Sequence, residues 1–242
     1  DGSVPLAAAG FSNKSSVDFV RCRPYSVMTV ASDGTAKVFS SETGLCALTV
    51  FSPRIANLGS FSPDCSRVVT CLHGSTACIR KASSQEELLT ISGHNGTVHA
   101  AVFSREGFHV ATASADRTAA IWNARTGERL RTLEGHEGEV YSVAFSPDGQ
   151  HIVTSSEDRT ARVWCVATGE SMALFLHKWA VTTASFSPDG GWVVTASEDR
   201  AARIWSLETG ECTRTLEGHS SPVVEATFSG CWCPDATAQE QE

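Results

Sequence analysis

Short runs of alternating apolar and polar residues, separated by turn residues, fill most of this chain. From Gly135 to Trp164 it reads GHEGEVYSVAFSPDGQHIVTSSEDRTARVW. The stretch holds an alternating run, a Ser-Pro-Asp-Gly turn, a second run, a tight Glu-Asp-Arg turn and a third run ending in Trp164. Alternation with a period of two sends successive side chains to opposite faces of a strand, and Pro, Asp and Gly punctuate such strands. Three short antiparallel strands are therefore predicted here.

The same unit recurs. With the tight-turn Asp as anchor, the copies fall at Asp33, Gly74 in a degenerate copy, Asp116, Asp158 and Asp199, at steps of 41, 42, 42 and 41 residues. The closing aromatic keeps step at Phe39, Trp122, Trp164 and Trp205, with Arg80 as the exception. A fixed period in this range is the signature of a repeat architecture, in which each unit buries its apolar face only against its neighbours. Repeats three to five are regular, with turns at Ser146-Pro147-Asp148-Gly149 and Ser187-Pro188-Asp189-Gly190 and outer hairpins at Thr126-Gly127, Thr168-Gly169 and Thr209-Gly210. Repeat one is shortened and has Asn13 in the place of the His; repeat two has Ser52, Gly74 and Arg80 where His, Asp and Trp belong.

These features resemble the WD-repeat family. Gly93-His94, Gly135-His136 and Gly218-His219 match its Gly-His signature, and Leu176-His177 keeps the His alone. The Asp of the Trp-Asp dipeptide is replaced by Asn123, Cys165 and Ser206. The resemblance implies an all-β propeller of four-stranded antiparallel blades around a channel. The expected organisation is a lead-in strand within 1–12, a repeat domain over 13–229 and an irregular acidic tail over 230–242. Within the domain, degenerate repeats near 13–50 and 51–92 precede regular ones near 93–134, 135–175 and 176–217. A partial sixth, 218–229, starts with His219 and a strand over Val223–Phe228. Since the family usually closes with seven blades, an incomplete or open propeller of five to six blades is expected, with unpaired edges that favour self-association.

Composition narrows the function classes. A net charge of −8 argues against the basic face that nucleic acid selects, and favours a basic partner. No run approaches a membrane span and no basic-then-apolar leader opens the chain, so a cytoplasmic or nuclear protein is expected. The nine cysteines are odd in number, and Cys22, Cys46, Cys71, Cys78 and Cys165 sit at strand positions where a free thiol acts as a small hydrophobe, which suggests a reducing compartment. Cys231 and Cys233, with Cys212 and His219 upstream, match no zinc-ligand spacing. No metal or cofactor is expected.

Each regular repeat sets a His, a Thr, an Asp and a Trp at fixed offsets: His94, Thr112, Asp116, Trp122; His136, Thr154, Asp158, Trp164; His177, Thr195, Asp199, Trp205. A hydroxyl, an imidazole and a carboxylate invite a hydrolase reading, with Thr154 as nucleophile. Yet a triad occurs once per site, whereas this set occurs three times, brings an indole that a triad does not need, and lacks a glycine elbow. The family resemblance implies instead a buried hydrogen-bond chain, and the donor and acceptor inventory of the four groups closes without remainder.

For partner contact, the resemblance points to positions three and five after the His and the residue before the turn Asp, on the face where the channel opens. These are Thr97, His99 and Ala115; Glu139, Tyr141 and Glu157; Ala180, Thr182 and Glu198. Tyr141 is the expected aromatic anchor, and Glu139, Glu157 and Glu198 would pair with Lys or Arg of a peptide; the same glutamates could equally form a solvated rim. Trp179 and Trp192, outside the repeating slot, are expected to pack between blades. The expected function is a non-catalytic scaffold for a protein or peptide partner in a multiprotein complex, the alternative being a piece of a larger regulatory or enzyme-containing protein.

Overall fold

The computed structural model describes residues 59–228 apart from 72, 73 and 85, together with the backbone of four strands nearer the N-terminus. Those four, β1 (Ser16–Asp18), β2 (Ser26–Val30), β3 (Thr35–Ser40) and β4 (Cys46–Phe51), form the first sheet. Blade two comprises β5 (Gly59–Phe61), β6 (Arg67–Cys71), β7 (Thr76–Lys81) and β8 (Glu87–Ser92). Blade three follows as β9 (Val98–Phe103), β10 (His109–Ser114), β11 (Ala119–Asn123) and β12 (Arg129–Leu133). Blade four holds β13 (Val140–Phe145), β14 (His151–Ser156), β15 (Thr160–Cys165) and β16 (Ser171–Leu176). Blade five holds β17 (Val181–Phe186), β18 (Trp192–Ser197), β19 (Ala202–Ser206) and β20 (Cys212–Leu216). All five sheets are antiparallel, with strands in chain order across the sheet.

The inner strands β5, β9, β13 and β17 lie side by side in that order. Apart from a small cluster of Phe61 and Val68 within blade two, the core lies between blades. Ile79 and Ile91 of blade two pack with Val98, Phe103 and Trp122 of blade three; Ile121 and Leu133 of blade three pack with Val143, Ile152 and Trp164 of blade four; Val163 and Phe175 pack with Val181 and Trp205 of blade five. Both faces of a middle strand are thus covered, and five of the six residues of β14 are fully buried, whereas the outer strand β16 buries only Phe175. Stability is shared across blade interfaces, as repeat packing requires.

Turn chemistry explains the strand ends. The Ser146 hydroxyl accepts the His151 N–H at 2.9 Å, and Gly149 takes φ 71°, the left-handed conformation that a Cβ disfavours. In the opposite turn Arg117, Arg159 and Arg200 themselves take φ 71°, 71° and 69°. The preceding Asp stabilises this bend: Asp158 Oδ1 accepts the Thr160 N–H at 2.9 Å.

Two expectations are corrected. The strand expected over Val223–Phe228 is not formed: residues 222–228 lie in no sheet. They run beside β17, where Thr182 donates to the Val223 carbonyl at 2.8 Å and the Ala226 N–H reaches Thr183 Oγ1 at 3.3 Å. The Ala184 N–H meets Ser142 Oγ in the same way between blades five and four, at 3.2 Å, so the segment occupies the place of a further inner strand without one to pair beyond it among the described residues. The cysteines also divide: Cys71 and Cys78 are buried thiols, Cys165 is half-buried and Cys212 exposed, but Cys65 is disulfide-bonded, so the set is not uniformly reduced. Cys22, Cys231, Cys233 and the tail lie outside the described residues, as does the Cys46 side chain.

Candidate functional site

The His of each regular repeat stands in the loop before the inner strand, the Thr within the second strand, the Asp in the turn after it and the Trp near the end of the third. Sheet pairing therefore brings the four together. In blade three His94 Nδ1 lies 2.8 Å from Asp116 Oδ2 and Nε2 lies 2.7 Å from Thr112 Oγ1, which also accepts the Trp122 indole N–H at 2.7 Å. Blade four repeats this with His136 to Asp158 at 2.8 Å, His136 to Thr154 at 2.7 Å and Trp164 to Thr154 at 2.8 Å. Blade five has His177 to Asp199 at 3.3 Å, His177 to Thr195 at 2.7 Å and Trp205 to Thr195 at 2.9 Å. Each His ring also meets its Trp edge to face. The Thr hydroxyls are sealed from solvent and already hold an indole N–H and an imidazole, so the arrangement braces the loop against the sheet and presents no nucleophile.

Two further members were not read from the sequence. The Thr118 and Thr160 hydroxyls donate to the outer carboxylate oxygens of Asp116 and Asp158, each at 2.6 Å. Burial by itself would raise the Asp116 carboxyl, but the Thr118 hydroxyl, the Asn95 N–H and His94 outweigh it and hold the pKa at about 2. Burial likewise opposes ionisation of Asp158, yet His136 and Thr160 hold it well below the usual carboxylate range. Blade two shows what the absent partners cost. Arg80 stands where an indole would donate, and the buried Thr70 hydroxyl has no hydrogen-bond partner among the described residues.

These brackets hold the loops of one face together. A Cβ on Gly96 would lie 2.6 Å from the Asp116 amide nitrogen, and one on Gly138 2.8 Å from that of Asp158, so loop and turn touch. The Ala115, Glu157 and Glu198 N–H groups donate to the carbonyls of Thr97, Glu139 and Ala180 at 2.8, 2.9 and 3.0 Å. Thr97, Glu157 and Glu198 are exposed, Glu139 and Thr182 half-buried. Tyr141, expected as the exposed anchor, is only 7% exposed, and His99 is 6% exposed; Ala180 is buried too. The reason is packing between inner strands: His99 of β9 meets Glu139 at 3.1 Å and the Tyr141 ring edge to face, which closes the seam between blades three and four. The exposed aromatic is instead Trp179, 63% accessible, two residues after His177 where Gly96 and Gly138 stand in the other blades. Trp192 is 39% exposed, so neither indole packs between blades as expected. The signal for Trp179 was its place in the Gly slot.

The model of the family described as "WD domain, G-beta repeat" matches this chain three times, over residues 85–123, 127–165 and 169–206. The chain belongs to the WD-repeat family. Each matched repeat begins near the outer strand of one blade and ends at or just after the tetrad Trp of the next, so every WD repeat spans two sheets and fastens them together. No curated protein matches the chain. WD-repeat domains generally act as non-catalytic scaffolds that bind proteins or peptides, and this propeller has that kind of fold. Among the described residues no group of His, Cys, Asp and Glu is arranged to hold a metal.

The WD repeat of blade five departs from its two neighbours. Ala201 replaces Thr118 and Thr160, and the Arg203 guanidinium enters the space, pairing with Asp199 Oδ2 at 2.7 Å and donating to His177 Nδ1. That donation fixes the proton of His177 on Nε2, directed at Thr195, whereas the two other rings give their Nδ1 proton to Asp. Burial first and Arg203 second push the His177 pKa down to about 4. Because this folded value lies below the unfolded one, near 6.5, the ring contributes stability that is complete above that pH and lost as pH falls through about 4. A loss of about 3 kcal/mol is expected over that window. An NMR titration of the ring should give a midpoint near 4; one near 6.5 would contradict the burial and the Arg203 contact.

Proposed function

We propose that this WD-repeat propeller is a non-catalytic scaffold that holds an extended basic segment of a protein partner, within a multiprotein complex, on the face lined by Trp179, Glu139, Glu157 and Glu198. What supports this reading is the exposed Trp179 indole, set by the blade-five loop on the same face as carboxylates from two blades. An accessible indole supplies contact area and cation–π attraction, and the glutamates supply complementary charge. Glu139 is already paired with His99, so Glu157 and Glu198, which make no ion pair among the described residues, are the acceptors for an incoming Lys or Arg.

The expected result is that proximity labelling with Trp179→Ala/Glu157→Lys loses partners that both the parent and a Phe108→Ser variant keep. Phe108 is 71% exposed in the turn between β9 and β10, at the opposite end of the strands, and so controls for general loss of surface apolarity. Equal partner lists for all three proteins would refute the face.

A further inference from the structure

We propose that blade five carries a second, independent site that accepts a dianionic phosphoryl group. The site is a cavity of about 300 Å³ where the turn between β18 and β19 meets the chain leaving β20, lined by Lys178, Arg200, Arg203, Asp199, Glu217 and His219. Two substitutions and one redirected arginine make it. Lys178 follows the tetrad His where Asn95 and Glu137 stand in blades three and four. Ala201 replaces the Thr that fills this corner in both, and opens the space. Arg203 matches Arg162 of blade four, but where Arg162 lies over the Trp164 ring, Arg203 turns to Asp199 in the corner that Ala201 leaves.

The charges do not cancel. Asp199 is neutralised by Arg203 at 2.7 Å and also accepts the Lys178 backbone N–H at 3.2 Å. Burial opposes its ionisation, but Arg203 foremost, together with the Lys178 N–H, holds it at about 2, so it remains the partner of Arg203 throughout the working range. Lys178 and Arg200 are exposed and make no ion pair among the described residues. Arg200 is projected by a left-handed turn residue, which the Asp199 bend fixes. A lysine and an arginine converging on one cavity form charge-assisted bonds to phosphoryl oxygens, and His219 would add a donor. Glu217 opposes the anion and limits affinity. The molecule as a whole is acidic, at −8, so attraction must come from this local cluster and not from the overall field.

The source of the phosphoryl group is separated by two probes, inorganic phosphate and the peptide acetyl-Gly-phosphoSer-Gly-amide, with the unphosphorylated peptide as control. Titration calorimetry of the full chain at low salt should show saturable binding of a phosphorylated probe and none of the control. Tighter binding of the peptide assigns the site to a modified protein, and equal binding assigns it to free phosphate; both carry the proposal. Lys178→Glu should weaken binding about tenfold or more, as loss and reversal of one charge-assisted contact implies. The fold accepts that residue, because Glu137 already occupies the matching position in blade four. Glu217→Gln should strengthen binding. Absence of binding by both phosphorylated probes, equal binding of the control, or parent-like affinity in Lys178→Glu overturns the site. Because Lys178 adjoins Trp179, the two sites are told apart by Trp179→Ala, which should leave phosphate binding unchanged while it weakens the partner face.

Discussion

Trp164→Ala should destabilise the protein by about 4 kcal/mol, within the range for emptying a fully buried indole site. Trp164 is 1% exposed and packs in the cluster shared by blades three and four, so its loss opens a cavity at an interface and not inside one blade. It also removes the N–H that Thr154 accepts at 2.8 Å and the ring beneath the Arg162 guanidinium. Trp164→Phe separates these contributions, because it keeps the edge contact with His136 and loses the hydrogen bond. A loss of about 1–2 kcal/mol is expected there. Denaturant midpoints at constant m report both. A Trp164→Ala loss below about 1 kcal/mol would mean that the blade interface does not rest on this residue.

Asp158→Ala is expected to cost about 3 kcal/mol, because one carboxylate serves four donors: His136 Nδ1 at 2.8 Å, the Glu137 N–H at 3.0 Å, the Thr160 N–H at 2.9 Å and its hydroxyl at 2.6 Å. The sign of its pH dependence follows from the same contacts. Its folded pKa is depressed against the opposing effect of burial, so the carboxylate contributes stability above the unfolded value near 3.8 and loses it as pH falls further. The variant should therefore show a flatter acid limb than the parent. A midpoint equal to the parent's at pH 7 would remove the carboxylate from the bracing.

The repeat spacing made the tetrads legible, because residues that hydrogen-bond across a sheet must recur in register with the strands. Thr154, Arg162 and Leu174 are in fact consecutive partners across two ladders. What lies between repeats was not legible. His99 and Tyr141 sit at nominally open positions, yet they pack against each other because β9 and β13 are neighbours in space, a relation that no single repeat encodes. Trp179 was misplaced for the converse reason: it holds a slot that two blades give to Gly under close backbone approach, and in blade five its indole stays exposed. Thr118 and Thr160 recur in two of the three regular blades, and hydroxyls beside a turn are common; the Ala201 exception shows their role. The segment 222–228 carries the apolar pattern of a strand, but a strand also needs a partner, and none of the described residues supplies one beyond it.

The central claim is that His, Thr, Asp and Trp work as one connected chain that holds the face loops in place. Asp158 and Thr154 share no direct bond and communicate only through His136. A double-mutant cycle between Asp158→Ala and Thr154→Val, measured by denaturant unfolding, tests this most directly. The account predicts a coupling of about 1 kcal/mol or more, whereas additivity to within about 0.5 kcal/mol would contradict it.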